Sequence, residues 1–295
     1  MFHVEQIFNK ATIFLNTQDS TFYLSTKDYF KTGEVFDLVH DSRYDFLITT
    51  PQPPKESLAS YYDTEDYISH SNTQKGVVAF LYTLVQKWSL KNKKNLVCNL
   101  SKQKGRLLDV GAGTGSFCEI IKHAGWETIG VEPNNKARKI AAQRQLLLLE
   151  NIEDVQGQKF DVITLWHVLE HLPDLEKTIV KIENLLSPQG VLIIAVPNYK
   201  SFDAKYYKQF WAAYDAPRHL WHFSQKSMTH LFSKNITLLK TKPMIFDSFY
   251  VSLLSEKYKT GNSFSLKAFF IGLWSNISAI RSKEYSSLIY CFKKA

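Results

Sequence analysis

The stretch LLDVGAGTGSF at 107–117 holds the densest chemistry in the chain. An apolar run carries an acid, Asp109, and then Gly111, Gly113 and Gly115 alternate with small residues. Glycines let a backbone approach a ligand with no side chain between. A helix starting just beyond them presents free N–H groups and a partial positive charge. Such a turn suits a phosphate or the carboxylate of an amino-acid-like ligand. A nucleoside triphosphate site needs a Gly-Lys-Ser/Thr ending, and this turn ends Gly115-Ser116-Phe117. The dinucleotide fingerprint wants glycine where Ser116 stands. Asp109 is expected at the mouth of the turn, where a cationic amino group would be welcome. Downstream, GVEPN puts Glu132 at the end of the next strand, placed to accept both hydroxyls of a ribose.

A second chemistry lies in the histidines, whose ordinary pKa is close to neutral and suits general-base work. His167 and His171 lie in LWHVLEHLP; His219 and His222 lie in QFWAAYDAPRHLWHFS with Tyr214, Asp215 and Arg218. His219 is the first candidate base and His167 the second, with Arg218 orienting an anionic or hydroxylated acceptor. His171, ahead of Leu-Pro, reads as a structural hydrogen-bond donor, and His222 as packing between Trp221 and Phe223. The spacing of His167 and His171 lacks the HExxH arrangement, so no metal is expected.

Elements must position these groups. Aromatic, β-leaning runs (ATIFLN, TFYLS, EVFDLVH, YDFLIT) fill residues 1–60 and close at TTPQPPKE. A helical face from Gly76 to Leu90 follows, then a polar KNKKN. From Arg106 to Tyr199 strands alternate with helices: RLLDV, ETIGVE, LLLLE, FDVITLW and VLIIAVP are the strands. That alternation predicts a parallel sheet covered on both faces, with LLLLE and VLIIAV buried on both sides. Residues 200–295 add a helix after Ser224, helical segments around 250–281 and a last strand, SSLIYCFKK.

Composition sets the class. The 295 residues are 44% hydrophobic and 22% charged, as in a globular protein. The net charge of +8 comes from lysines spread along the chain. It reads first as a solvated basic surface, with an acidic substrate, nucleic acid or an anionic membrane surface as alternatives. Cys98, Cys118 and Cys291 form no CxxC pair, which argues against a disulfide framework or structural zinc. The N-terminal stretch mixes acids, amides and Lys10 into its apolar residues and does not read as a signal peptide, so a cytoplasmic location is expected.

The glycine turn, the strand-end acid, ENIEDV at 150–155, FDVITLWHVLEHLPD at 160–174 and LLSPQGVLIIAVPN at 185–198 together resemble the class I S-adenosylmethionine-dependent methyltransferases. The resemblance is dense over residues 104–200. It implies an α/β, Rossmann-like sheet of seven strands with an antiparallel last hairpin and helices on both faces. Around it would stand a small N-terminal β extension and a helical insertion near the C-terminus. It also implies S-adenosylmethionine as cofactor and S-adenosylhomocysteine as product. Asp109 and the backbone of Gly111, Ala112 and Gly113 would hold the methionine end, and Glu132 the ribose. Asn151 and Ile152 would border the adenine, and Trp166 and His167 would lie beside the sulfonium.

Some members carry a zinc ribbon ahead of this domain, and VHDSRYDFLITTPQPPKESLASYYDTEDYISH is similar to its end, with Asp41 and Tyr44 where two cysteines would stand. A metal-free remnant over 1–60 is expected, followed by a methyltransferase domain over 61–295. That domain would divide into a cofactor core (104–200), an acceptor lid (200–235) and C-terminal helices with the last strand (236–295). Tyr61, Tyr62 and Tyr67 could close over the cofactor. The implied reaction is methyl transfer, at oxygen, to a small-molecule, lipid-linked or glycan acceptor, with peripheral membrane contact open through the apolar C-terminal helices. Nucleic-acid or protein methylation, and a scaffold that binds the cofactor without transfer, are the alternatives, followed at a distance by nicotinamide chemistry. The sequence carries neither an Asn/Asp-Pro-Pro-Tyr/Phe motif nor a dense Lys/Arg stripe, which weighs against a nucleic-acid substrate. It says nothing of the oligomeric state.

Overall fold

The computed structural model describes residues 20–62, 77–101, 103–262 and 265–295. The run ATIFLN, the N-terminal stretch ahead of it and Tyr67 lie outside the described residues. Strands β1 (Ser20–Lys27), β2 (Val35–Asp41) and β3 (Phe46–Thr50) form an antiparallel meander. Helices α1 (Lys55–Tyr62) and α2 (Val77–Leu100) come next. Helix α2 runs straight through KNKKN, which polarity alone would make a loop. Leu96 and Val97 beyond it are buried, and that packing carries the helix on.

The alternating region supplies β4 (Arg106–Val110), α3 (Ser116–His123), β5 (Glu127–Val131), α4 (Asn135–Gln143), β6 (Leu148–Leu149), β7 (Phe160–Trp166), α5 (Leu175–Leu185) and β8 (Leu186–Pro197). After it come α6 (Phe202–Tyr207), β9 (Trp221–His222), α7 (Gln225–His230), β10 (Ile236–Pro243), α8 (Asp247–Thr260), α9 (Leu266–Ser282) and β11 (Ser287–Lys294). Among the described residues, seven strands pair in the order β10-β11-β8-β7-β4-β5-β6. The pairs from β8 through β6 are parallel, and β11 lies antiparallel to both β8 and β10. This is the seven-stranded, Rossmann-like sheet with an antiparallel last hairpin that the resemblance implies. Successive strand residues face opposite cores, as the pleat requires. Leu108, Val110, Ile163 and Leu165 meet α5, while Leu107, Val162 and Ile193 join α2 and α3 on the other face. Only Leu148 and Leu149 of the leucine run enter the sheet, and Leu147 is 81% exposed. That edge position explains why an apolar run is not buried on both faces.

The chain leaves β4 toward β5 on one side, and β7 lies on the other, so the order reverses between β4 and β7. In open α/β sheets ligands bind at the carboxyl ends of the strands at such a reversal. The glycine turn follows β4, and His167 follows β7.

A second sheet has the order β1-β2-β3-β9. Its fourth strand, Trp221–His222, comes from the stretch between α6 and α7, so that stretch and the N-terminal strands share one sheet. The carboxylate of Asp41, fully buried, accepts the N–H groups of Arg43 and Tyr44 at 2.9 and 3.3 Å and the Arg43 guanidinium at 2.8 Å. It organises the β2–β3 turn, while Tyr44 stacks on Phe46. Asp28 does the same for the β1–β2 turn through the N–H groups of Phe30, Lys31 and Thr32. Asp28 also accepts from Nη2 of Arg218 at 3.0 Å, fastening the small sheet to the segment between α6 and α7.

Asp28→Ala strips a buried guanidinium of one partner and three turn N–H groups of their acceptor. It is expected to lower stability by about 3 kcal/mol, read as a shift of the urea midpoint at unchanged slope.

Candidate active site

The glycine turn is fixed from beneath before any ligand arrives. The N–H groups of Gly111 and Ala112 donate to the Val131 carbonyl at 2.8 and 2.9 Å, pinning the turn to the end of β5. The three glycines are required for different reasons. Each has a positive φ, a backbone state that L side chains rarely adopt. At Gly111 a Cβ would stand 2.3 Å from Cγ2 of Val168, so the loop after β7 closes directly on this residue. At Gly115 a Cβ would meet Leu146 at 2.6 Å and Ala141 at 3.2 Å, which makes it a helix-packing residue. At Gly113 nothing among the described residues lies within 4 Å of a Cβ position. That stretch of bare backbone faces open space.

Beside it stands Glu132. Its carboxylate accepts the N–H of Gly113 at 2.8 Å through one oxygen and that of Asn134 at 2.9 Å through the other. A carboxylate has about four lone-pair sites, so two remain for a ligand's hydroxyls. Asn134 in turn caps α4 by accepting from Lys136 and Ala137. Asn151 is exposed just past β6, its N–H held by Asp154, and Ile152 next to it is buried at the edge of the core.

Asp109 is not at the mouth of the turn. It is 2% exposed, accepting from the Thr164 hydroxyl at 2.6 Å with the Cys118 thiol 3.7 Å away. Strand alternation explains the difference: β4 points this carboxylate into the sheet rather than along it. Burial pushes its pKa up to about 6, against the lowering pull of Thr164 and of the Lys93 charge. Lys93 comes from α2, with its ammonium 4.5 Å from the centre of the Trp166 ring, and burial lowers its pKa. Trp166 also meets Phe117 edge to face, and its indole N–H has no hydrogen-bond partner among the described residues.

His167 follows with φ of 57°, a strained left-handed backbone for a non-glycine residue. Its ring spans two carboxylates, Nδ1 at 3.3 Å from Glu170 and Nε2 at 3.3 Å from Asp247 at the start of α8. Burial pulls its pKa down, but the bonds to Asp247 and Glu170 outweigh this and lift it to about 9. The imidazole therefore holds its proton at neutral pH. The sequence made His167 the second candidate base; the two acids that overturn this are not adjacent in the chain, and a protonated imidazole cannot accept a proton.

The segment between α6 and α7 clasps the same loop. The Leu220 N–H donates to the Glu170 carbonyl at 2.8 Å and the Trp221 indole to the Leu172 carbonyl at 2.8 Å. Nδ1 of His171 lies 3.0 Å from the Arg218 carbonyl and 2.9 Å from the Tyr62 hydroxyl. Burial and the nearby His219 push the His171 pKa down to about 4. His222, buried against Tyr214 and 3.0 Å from the Thr49 hydroxyl, is driven well below its usual range by burial and by His219. His219 has Nδ1 2.8 Å from the Ala213 carbonyl and Nε2 4.0 Å from the Asp215 carboxylate. Its ring meets that of His171 at 4.5 Å.

Arg218 is turned inward. Its side chain is 3% exposed, with Nη2 at 2.6 Å from Asp215 and 3.0 Å from Asp28, and its guanidinium lies over the Phe30 ring. It has no face left for an acceptor, so the role given to it from sequence is replaced by one of positioning. The Tyr61 hydroxyl donates to Glu34 at 2.8 Å.

The structure also gathers Glu170, His171 and His219, each bringing a ligand atom to within 4.8 Å of the other two. One oxygen of Glu170 is buried without a partner among the described residues. This donor set could hold a divalent cation or relay a proton. Sequence spacing offers a metal only across His167 and His171, because the third member arrives from a distant segment. Nothing local distinguishes Lys93 in KNKK or Asp247 in MIFDSF either.

Residues 85–235, just over half of the chain, match a family described as a methyltransferase domain. The ubiquinone biosynthesis O-methyltransferase of Rhodopseudomonas palustris strain HaA2 is 32% identical over 122 residues, covering 38% of this chain and 47% of that protein. The enzyme of the same name from Nitrobacter winogradskyi is 33% identical over 107 residues, covering 33% and 41%. The chain thus spans about half the length of the curated relatives it matches. Among solved structures, a magnesium protoporphyrin IX methyltransferase from Synechocystis PCC 6803 with bound SAH aligns at a TM-score of 0.55 with 14% identity, covering 82% of this chain and 100% of that one. That likeness is one of fold.

Because the folded protein holds the His167 proton more tightly than the ordinary value of 6.5, the stability this contributes is complete below that value and is lost as pH rises through about 9. In Asp247→Asn the loss should be smaller and be complete at lower pH, which urea titrations across that range will read.

Proposed function

The chain belongs to the methyltransferase domain family, with the class I sheet, and we propose that it transfers a methyl group from S-adenosylmethionine to a hydroxyl of a small, largely apolar molecule. The observation that carries the cofactor assignment is the open backbone of Gly113 beside Glu132. The donor set fits: two free acceptor positions for ribose hydroxyls, a bare glycine for close approach, and Asn151 with Ile152 at the rim for a base. Asp109, sealed under the turn, acts through its charge and by fixing β4 to β7 rather than by direct contact. Trp166 offers an apolar wall and an unpaired indole N–H. When bound, S-adenosylmethionine supplies a methyl group made electrophilic by positive sulfur.

The chain's own task is then to align the acceptor and remove its proton. His219 is the base in this reading. Facing the Ala213 carbonyl, Nδ1 is the protonated nitrogen, which leaves Nε2 with the lone pair. As Nε2 takes the acceptor's proton, the Asp215 carboxylate 4.0 Å away stabilises the new charge. Arg218 holds Asp215 and so positions His219 indirectly. His167, carrying its proton, steadies the loop after β7 between Glu170 and Asp247. The O-methylation named for the bacterial relatives supports an oxygen acceptor, and the aromatic lid supports an apolar one.

Two measurements test this. Glu132→Gln should weaken S-adenosylhomocysteine binding about tenfold or more by calorimetry. Equal affinity would remove the cofactor placement. With methyl-labelled donor and a panel of phenols and catechols, His219→Ala should lower kcat by about a hundredfold while donor affinity holds. Label appearing in nucleic acid or protein instead would overturn the small-molecule reading.

A further inference from the structure

Helix α9 is turned inside out. The residues it presents to the protein are small: Ala268, Gly272, Ser275 and Ala279, at the spacing of one helical face. A Cβ on Gly272 would come within 2.9 Å of both the Phe249 Cα and the Ser248 carbonyl, so α8 and α9 touch backbone to backbone there. Ser275 donates to the buried Asp203 at 2.7 Å. The large apolar residues lie on the opposite face, with Leu266 65%, Phe270 62%, Trp274 55% and Ile280 63% exposed. Phe269 and Ile277 complete the stripe. A water-facing helix has the reverse pattern, and an apolar patch of this length marks an interaction surface.

Charge selects the occupant. The exposed ionic residues on the two helices and the turn after them are Lys257, Lys259, Lys267, Arg281 and Lys283, and of these Lys267 is paired with Glu256. The acids nearby are engaged: Glu256 is buried beside Lys267, Asp247 is bonded to His167, and Glu284 accepts from Asn198. A second copy docking through a two-fold axis would set this cationic fringe against itself. An anionic lipid surface complements it. No helix among the described residues is long and apolar enough to cross a membrane, so the mode is one of lying on the surface.

We propose that α9 docks this protein on an anionic membrane surface, its Phe, Trp, Leu and Ile face entering the headgroup boundary and its flanking lysines and arginine meeting lipid phosphates. The docking does not depend on the methyl-transfer reading. It would bring to the membrane the helix pair whose first residue, Asp247, holds His167.

The test is co-sedimentation of the full chain with vesicles of equal parts phosphatidylcholine and phosphatidylglycerol, against vesicles of phosphatidylcholine alone. Binding is expected to the anionic vesicles, weakened by salt, and reduced about tenfold or more in Phe270→Glu/Trp274→Glu. These side chains are exposed, so the variant should melt with the wild type, and a matching melt guards the comparison. Failure of the folded wild type to sediment, or equal binding by the variant, would overturn the proposal. So would a dimer in sedimentation velocity that the double variant dissolves, because the face would then be occupied by a second copy.

Discussion

One buried guanidinium ties the small N-terminal sheet to the segment between α6 and α7. Arg218 sits between Asp28 of the β1–β2 turn and Asp215 of that segment, over the Phe30 ring. A charge so far from water persists only where carboxylates and hydrogen bonds surround it. Such a pair adds little net stability compared with a well-packed apolar substitute. What it does impose is geometry, because leaving any one partner out is costly. It fixes the residue after it, His219, and the carbonyl it offers to His171. The small N-terminal sheet is thereby joined to the segment between α6 and α7, with β9 as its fourth strand.

The same logic governs the loop after β7. Val168 closes on Gly111, His167 adopts a strained backbone, and Glu170 and Asp247 grip its ring from two sides. Strain of this kind survives only where the surroundings over-determine it. The consequence is a division of labour among four histidines within one region. His167 is kept charged by acids, while His171 and His222 are kept neutral by burial. His219 has one nitrogen fixed by the Ala213 carbonyl.

Away from the site, α9 shows how a packing constraint can write a surface. Close approach of α8 and α9 demands small residues between them, and the large apolar side chains are then left on the outside. The sequence pattern there is amphipathic by size rather than by polarity. Hydropathy alone reads such a segment as core.

By itself the sequence determined the class of the fold and the cofactor turn, because these depend on local signals: glycine spacing, strand–helix alternation and an acid at a strand end. It also singled out the histidine segment after β8. What it could not reach were effects made by distant partners. The acids that charge His167 lie 3 and 80 positions away, and the carboxylate that turns Arg218 inward lies 190 positions away. The continuation of α2 through KNKKN rests on burial of Leu96 and Val97, and the inward turn of Asp109 rests on its place in a pleat. Protonation, burial and register are properties of the assembled molecule. They follow from which groups are brought within a few ångströms of one another, and only the tertiary structure decides that.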